Sequence, residues 1–508
     1  MFERTLRMLA TFLLATAAAG AVVPASALAQ ISTSTLLGGA TIVDGTGAPA
    51  FVGDVLVVDG LIAAVGPPGS LAVPAGAARE NLDGLVLAPG FVDIHNHSTD
   101  RLAGDPSAPT QIAQGVTTIV VGADGSSPWP IADYLAELDA LGLTVDVATL
   151  VGHGTVRRAA MGADYARPAT AAEIADMAGR VQRGMREGAF GLSSGLEYDP
   201  GFYSETAELI ELARVATEYD GFYMSHIRDE EEGVLDAVSE AIEIGRATRI
   251  PVQISHVKAG NASVWGKSAD ILALIAAARA EAVDVLADQY PYTAWQSGLG
   301  IVVRSRQFQD PEEVRLGLEA IGGGNRLQIV GYEADPSVNG LRLDEVATKW
   351  EMSEVAAYSH MMSAGGSGVI GHTMDEADVD RFMASEFVMT ASDGGVGSAH
   401  PRGAGAFARV LGHYVRERGV ISLERAVKRG AAMPAARLGL GYRGVIEVGR
   451  RADLVAFDPA TIHARSTFRY SLRLAEGVHK TWVRGLAVWA GGHPTDARPG
   501  GALRRSDR

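Results

Sequence analysis

Apolar and polar positions change their period twice along the chain. From residue 40 to 66, "ATIVDGTGAPAFVGDVLVVDGLIAAVG" sets short β-branched runs between Asp-Gly and Gly-Thr-Gly turns, the pattern of an antiparallel meander. The stretches "GVIEVGRRADLVAFDP" and "GVHKTWVRGLAVWAGG" repeat that texture near the other end. The pattern predicts a small β-sandwich domain built from both termini, residues 30–87 with 436–495, and a flexible tail over 496–508. Between them, from 88 to 435, strand-like runs alternate with helical ones, which predicts βα units around a parallel sheet. The first run is "GFVDIHNH" (90–97), and others follow at 115–125, 144–154, 188–198, 221–230, 250–260, 282–292 and 387–395. Eight runs are what a closed (β/α)8 TIM-like barrel needs, and the predicted fold class is α/β of that kind.

The helices carry their own signals. Thr170 with Glu173 forms a capping box ahead of a run that ends at Gly188, and "ETAELIELARVATEY" repeats apolar residues at three and four. The interval 293–386 is too long for one connection, so it is expected to hold an inserted subdomain near the barrel mouth.

Composition narrows the chemistry. A formal charge of -16 argues against nucleic acid or an anionic membrane as partner, but it does not select a substrate, because a local patch can oppose the overall sign. Residues 1–29 read as a secretory signal peptide: a basic start, an apolar run, and small residues at Ala27 and Ala29. Cleavage near Ala29 would give a periplasmic or secreted protein. With no cysteine in the chain, any metal must be held by nitrogen and oxygen. Oligomeric state is not legible in the sequence.

Four histidines and an aspartate stand at the ends of four separate strand-like runs. His95 and His97 project to one face of the first strand, since side chains alternate along it. His226 in "MSHIRDE", His256 in "ISHVKAG" and Asp393 in "MTASDGG" each follow an apolar run and precede polar residues. In a parallel barrel these ends gather on one face, and so many polar groups there are costly to bury unless they share a purpose. That purpose is a divalent metal, zinc best, with manganese, cobalt or iron open. Metal-assisted hydrolysis follows, with Asp393 as the general base.

The segments "PGFVDIHNH", "GVTTIVVG", "GLSSGLEYDPG", "SHIRDE", "ISHVKAG", "DQYPYTA", "ASDGG", "HPRGAGAFARVL" and "GVIEVGRRADLVAFDP" run in order over the mature chain. In this combination the sequence resembles the amidohydrolase superfamily and, within it, the N-acyl-D-amino-acid deacylase (D-aminoacylase) family. The resemblance implies hydrolysis of the amide bond of N-acyl-D-amino acids or small D-residue peptides, with one or two zinc ions. His95 and His97 would serve one metal position, His226 and His256 the other, and Asp393 would be the catalytic acid/base. Lys258 and Arg402 would grip the substrate carboxylate. Tyr290 is the candidate for polarising the scissile carbonyl, with Tyr292 as its alternative. One departure stands out: the family's cysteine ligand in a "GNCG" turn is replaced by "GADG", which puts Asp124 there. Glu197 is expected as the ligand or bridge in its stead, with Asp124 as ligand or supporting partner.

Two other readings remain on the sequence. A cyclic-amide hydrolase of the hydantoinase or dihydroorotase kind shares the barrel, but the "GLSSGLEY" strand end lacks a lysine. A metal-binding relative without catalysis would be expected to miss a ligand. Arg228 and Asp229 are placed at the rim, where they orient substrate or pair with each other. His153, His372, His400, Trp129 and Trp295 are divided between pocket lining and packing.

Overall fold

The computed structural model describes residues 33–508; the signal peptide expected over residues 1–29 lies outside them. Eight parallel strands form the barrel: Phe91–Asp93, Val116–Val121, Asp146–Thr149 continuing as Val151–Gly152, Gly191–Gly195, Phe222–His226, Val252–Ile254, Val285–Gln289 and Val388–Thr390. Each pairs with the next in chain order. The strands are buried almost throughout because both faces are covered. Val92, Val120, Ala148, Phe222, Met224 and Met389 fill the interior, while helices such as Ala171–Glu187 and Val234–Thr248 pack outside. The Thr170–Glu173 capping box is formed, and Gly188 ends that helix at φ 121°, a conformation that glycine alone adopts without strain.

Closure runs through one buried carboxylate. Asp93, wholly buried at the end of the first strand, accepts hydrogen bonds from the Ser392 backbone N–H (2.8 Å) and hydroxyl (2.5 Å) on the eighth. Beyond it Asp393 N–H donates to the His95 carbonyl (2.9 Å), and Asn96 bridges Gly394 in parallel register. The seam therefore brings His95, His97 and Asp393 side by side although nearly 300 residues separate them.

The two termini meet in a nine-stranded sheet. Val86–Pro89 pairs in parallel with the strand Ser34–Ile42 and antiparallel with Leu454–Phe457, which joins the early strands to the late ones. Immediately after the seventh barrel strand, Trp295–Gly298, Leu327–Val330 and Gly368–Gly371 form a separate antiparallel sheet. It has its own core around Leu299, Leu343, Tyr358 and Met361. Among the described residues no helix is long and apolar enough to cross a membrane.

The C-terminal residues depart from the expected flexible tail. Ala502 pairs with Val147, Leu503 N–H donates to the Val147 carbonyl (2.8 Å), and Leu503 is 2% exposed. The third barrel strand is the cause. It breaks at Leu150, so Asp146–Thr149 pairs only with the second strand and leaves an edge whose backbone groups need partners. Hydrophobic periodicity cannot reveal an edge of that kind. Leu503→Ala is expected to cost about 2–5 kcal/mol by leaving a cavity, read as a fall of several degrees in melting temperature. An unchanged melting temperature would show that the tail is not part of the folded core.

Candidate metal and active site

The site lies where the strands end, and three of its residues bend sharply out of them. Asp124, His256 and Asp393 have φ of 52°, 33° and 48°, left-handed values that cost non-glycine residues about 1–2 kcal/mol each. The Asp124 turn is held from the neighbouring strand: the Ser193 hydroxyl donates to Gly122 O (2.6 Å) and accepts from Gly125 N–H (3.2 Å). Gly125 permits the approach, since a Cβ there would meet Gly195 N at 2.8 Å. The His256 turn is fixed by its N–H bond to Asp288 Oδ1 (2.8 Å).

Two groups of donor atoms converge. In the first, His95 Nε2 lies 3.2 Å from both His97 Nε2 and Asp124 Oδ2 and 3.3 Å from Asp393 Oδ1. His97 Nε2 lies 3.3 Å from Asp124 Oδ2 and 3.0 Å from Asp393 Oδ1. Four ligands about 2.0–2.1 Å from a tetrahedral zinc stand about 3.3 Å from one another. These five separations fit such a shell. In the second group, His226 Nδ1 and His256 Nε2 approach to 2.9 Å. Their outer nitrogens are each engaged by a carboxylate, His226 Nε2 by Glu197 (3.0 Å) and His256 Nδ1 by Glu230 (3.0 Å). An outer carboxylate of this kind fixes the tautomer and turns the other nitrogen inward.

This geometry corrects the expectation for Glu197, which does not bridge. Its oxygens face the back of the His226 ring and the Glu230 N–H (3.3 Å). Asp124 stands between the groups instead, with Oδ2 in the first and Oδ1 3.7 Å from His256 Nε2.

Electrostatics keep the carboxylates ionised. Burial alone would raise the Asp393 carboxyl, but Arg402, His256 and His95 overcome it and hold it well below the usual range. Asp124 is likewise lowered against its burial by His95 and His256, and Glu230 by Lys258 and His226. The histidines respond in the opposite sense. Burial and Lys258 lower His256, yet Glu230, Asp393 and Asp124 bring it up to about 9; His95 is raised well above its ordinary value by Asp124 and Asp393.

A cavity of about 1090 Å³ opens over these groups. Lys258 and Arg402 both reach its wall, and each is paired with a carboxylate, Lys258 with Glu230 (2.5 Å) and Arg402 with Asp393 (2.6 Å). Tyr290 does not reach it. It is 1% exposed beneath the Arg402 guanidinium, 4.6 Å from ring centre to charge, with its hydroxyl toward Met374 Sδ. The strand's alternation turns that ring under the site, and Tyr292 also lies below, bonded to Pro401 O (3.4 Å). The tyrosine on the wall is Tyr198, whose ring packs 4.4 Å from that of His226. Burial and the nearby Asp124 and Glu230 charges push its pKa well up, so it remains an O–H donor.

Glu230 and Tyr198 were not singled out in the sequence. Both had a signal: Glu230 stands four residues after His226, and Tyr198 adjoins Glu197. Arg228 and Asp229 do not pair with each other; Arg228 binds Glu240 (2.8 Å) and Asp229 binds Arg304 of the insertion (2.7 Å). His153 is buried on Glu208 (2.7 Å) and His400 on Ala294 O (3.0 Å), and the half-buried His372 bonds Gln328 (3.1 Å), all as packing residues. Trp295 lines the cavity, whereas Trp129 packs against Gly184.

A parallel barrel with paired histidine and carboxylate groups at its C-terminal face, beneath a cavity with two cations on its wall, defines a metal-dependent hydrolase. Residues 80–328 and 378–488 match the model of the amidohydrolase family. D-aminoacylase of Alcaligenes xylosoxydans xylosoxydans is 36% identical over 496 residues, 93% of this chain and 97% of that protein. A D-aminoacylase structure with a binuclear metal centre superposes with TM-score 0.83 and 35% identity, covering 92% of this chain and 99% of the other. The N-acyl-D-glutamate deacylase of Bordetella bronchiseptica, complexed with zinc and a phosphonate mimic of the tetrahedral intermediate, gives TM-score 0.84 and 36% identity over the same shares. The chain belongs to the amidohydrolase family, in its D-aminoacylase branch.

Because the metal-free site favours protonated His95 and His256 at neutral pH, a cation must displace protons to reach their nitrogens. Zinc titration of metal-free protein at pH 7, run calorimetrically in two buffers of different ionisation enthalpy, is expected to release more than one proton per chain. Affinity should fall as pH drops. A buffer-independent heat would contradict the raised histidines.

Proposed function

We propose that the protein hydrolyses the amide bond of N-acyl-D-amino acids or of small peptides carrying a D-residue. The reading rests above all on one observation, Asp393 placed between the donor group and Arg402 on the cavity floor. The activities of the D-aminoacylase and N-acyl-D-glutamate deacylase relatives support it. A bound divalent cation would be held by the two groups described above and would supply Lewis acidity and a lowered pKa for water.

The protein's own residues divide the remaining work. Asp393, ionised and facing the cavity, is the acceptor for the proton of the attacking water and the donor to the leaving nitrogen. Lys258 and Arg402 place two positive charges on the wall, which suits a substrate α-carboxylate. Tyr198, not Tyr290, offers the neutral hydroxyl to the acyl end. Trp295 and the insertion residues Gln296, Ser297 and Ile301 cover the cavity from above and limit water.

Asp393→Asn is expected to lower kcat about 10²–10⁴-fold with the melting temperature near that of the parent. Full activity in that variant would overturn the assignment. Against paired N-acetyl-D- and N-acetyl-L-amino acids and hydantoin, metal-replete protein should turn over the D-series. Preference for hydantoin would instead indicate a cyclic-amide hydrolase.

We also propose that the protein acts in the periplasm or outside the cell, on the basis of the basic, apolar and small-residue order of residues 1–29. N-terminal sequencing of the secreted or periplasmic protein should begin at Gln30. A chain retained in the cytoplasm with Met1 intact would exclude this.

A further inference from the structure

We propose that Glu231 makes the protein selective for substrates that carry a positive charge, a primary ammonium or a guanidinium, in addition to their α-carboxylate. The inference rests on the functional reading above and names the class of D-substrate that the cavity takes. Glu231 is half-buried on the cavity wall, and among the described residues its side chain has no hydrogen-bond or ion-pair partner. The other carboxylates on that wall are all engaged: Asp124 by His95 (3.2 Å), Glu197 by His226 (3.0 Å), Asp199 by Arg306 (3.3 Å), Glu230 by Lys258 (2.5 Å) and Asp393 by Arg402 (2.6 Å).

The loop after the fifth barrel strand leaves this one acidic side chain free and ties down its neighbours. Asp229 Oδ1 accepts the Glu231 N–H (2.7 Å), while Asp229 Oδ2 meets Arg304 of the insertion (2.7 Å), so the turn is braced from both sides. Glu230 is spent on Lys258, its carbonyl accepts the Gly260 N–H (2.7 Å), and Glu232 accepts from the Ser263 hydroxyl (2.5 Å). Arg304, the cation whose charge acts on Glu231, is itself committed to Asp229. Burial, Glu197 and Glu232 push the Glu231 carboxyl up to about 7, as expected of a carboxylate that its surroundings leave uncompensated.

The ligand chemistry follows from that lack. An ammonium or guanidinium meeting Glu231 gains a charge-assisted hydrogen bond and supplies the missing compensation. An apolar group there would cover the carboxylate without serving it, and a second carboxylate would repel it. Lys258 and Arg402 already offer two cations to the α-carboxylate, so Glu231 adds the opposite sign to the same cavity. Two kinds of D-substrate bring such a cation: a D-residue with a basic side chain, and a dipeptide whose D-residue is acylated by an amino acid with a free amino terminus.

The test is the charge dependence of kcat/KM in metal-replete protein. N-acetyl-D-lysine and N-acetyl-D-arginine are compared with N-acetyl-D-norleucine and N-acetyl-D-glutamate, and glycyl-D-leucine with N-acetyl-D-leucine. The cationic member of at least one comparison should lead by about 10-fold or more, and the comparison that shows it tells whether the cation belongs to the side chain or to the acyl end. Glu231→Gln should lower that ratio about 10–100-fold, mainly through KM for the cationic substrate, and Glu231→Lys should move the preference toward N-acetyl-D-glutamate. A parent that favours the neutral or acidic member throughout, or a Glu231→Gln variant that keeps the parent's ratio, would overturn the proposal. The ratio is internal to each protein, so partial loss of folded variant does not alter it, and the parent measurement decides even if no variant folds. Hydrolysis of the D-series with no preference for charge would leave the functional reading standing and remove this one. Absence of hydrolysis across every D-substrate would remove the functional reading itself, and the proposal with it.

Discussion

The contact on which the rest depends is the seam between the first and eighth barrel strands. Asp93 accepts both the backbone and side-chain bonds of Ser392 in a position from which water is excluded. Burial pushes its pKa up while Ser392 and Asn96 pull it down, so its hydrogen-bond partners decide whether the seam is satisfied. Two residues beyond Asp93 and one beyond Ser392 stand His95 and Asp393, joined by a backbone bond of 2.9 Å. The relative position of a candidate metal ligand and the proposed proton carrier is thus fixed by main-chain register, far more rigidly than side-chain packing alone could fix it.

Much of this was legible in the residues. Eight apolar runs that end in polar residues announced the barrel, and His95, His97, His226, His256 and Asp393 announced the site because five such residues at four strand ends are otherwise expensive to bury. What escaped depended on direction. Tyr290 and Tyr198 both follow strands, and only the three-dimensional turn decides that Tyr198 faces the cavity and Tyr290 lies beneath Arg402. Glu197 and Asp124 could not be told apart by spacing, since each sits within reach of a histidine. The difference is which ring nitrogen each meets, and that is set by the turn around Gly125 and by Glu230. The tail was misjudged for a similar reason, because the broken third strand that recruits Ala502 leaves no compositional mark.

The insertion and the barrel loops are joined by charge as well as by packing. Arg304 reaches Asp229 (2.7 Å), and Arg306 reaches Asp199 (3.3 Å) and the Glu197 carbonyl (2.6 Å) while lying over the Phe202 ring. These links end on the loops that carry Glu197 and follow His226. Cavity roof and donor groups are therefore mechanically connected, although each isolated surface pair contributes only about 0–1 kcal/mol.

Charge balance explains why the site takes the form it does. Asp124, Glu230 and Asp393 lie close together where burial is nearly complete, with Lys258 paired to Glu230 and Arg402 to Asp393, which leaves an excess of negative charge in a poorly solvated place. Without other compensation the imidazoles take it up, which is why His95, His97 and His256 are all raised. A divalent cation offers the same compensation at the point where the carboxylate oxygens and the ring nitrogens converge, and it releases the imidazoles to neutrality.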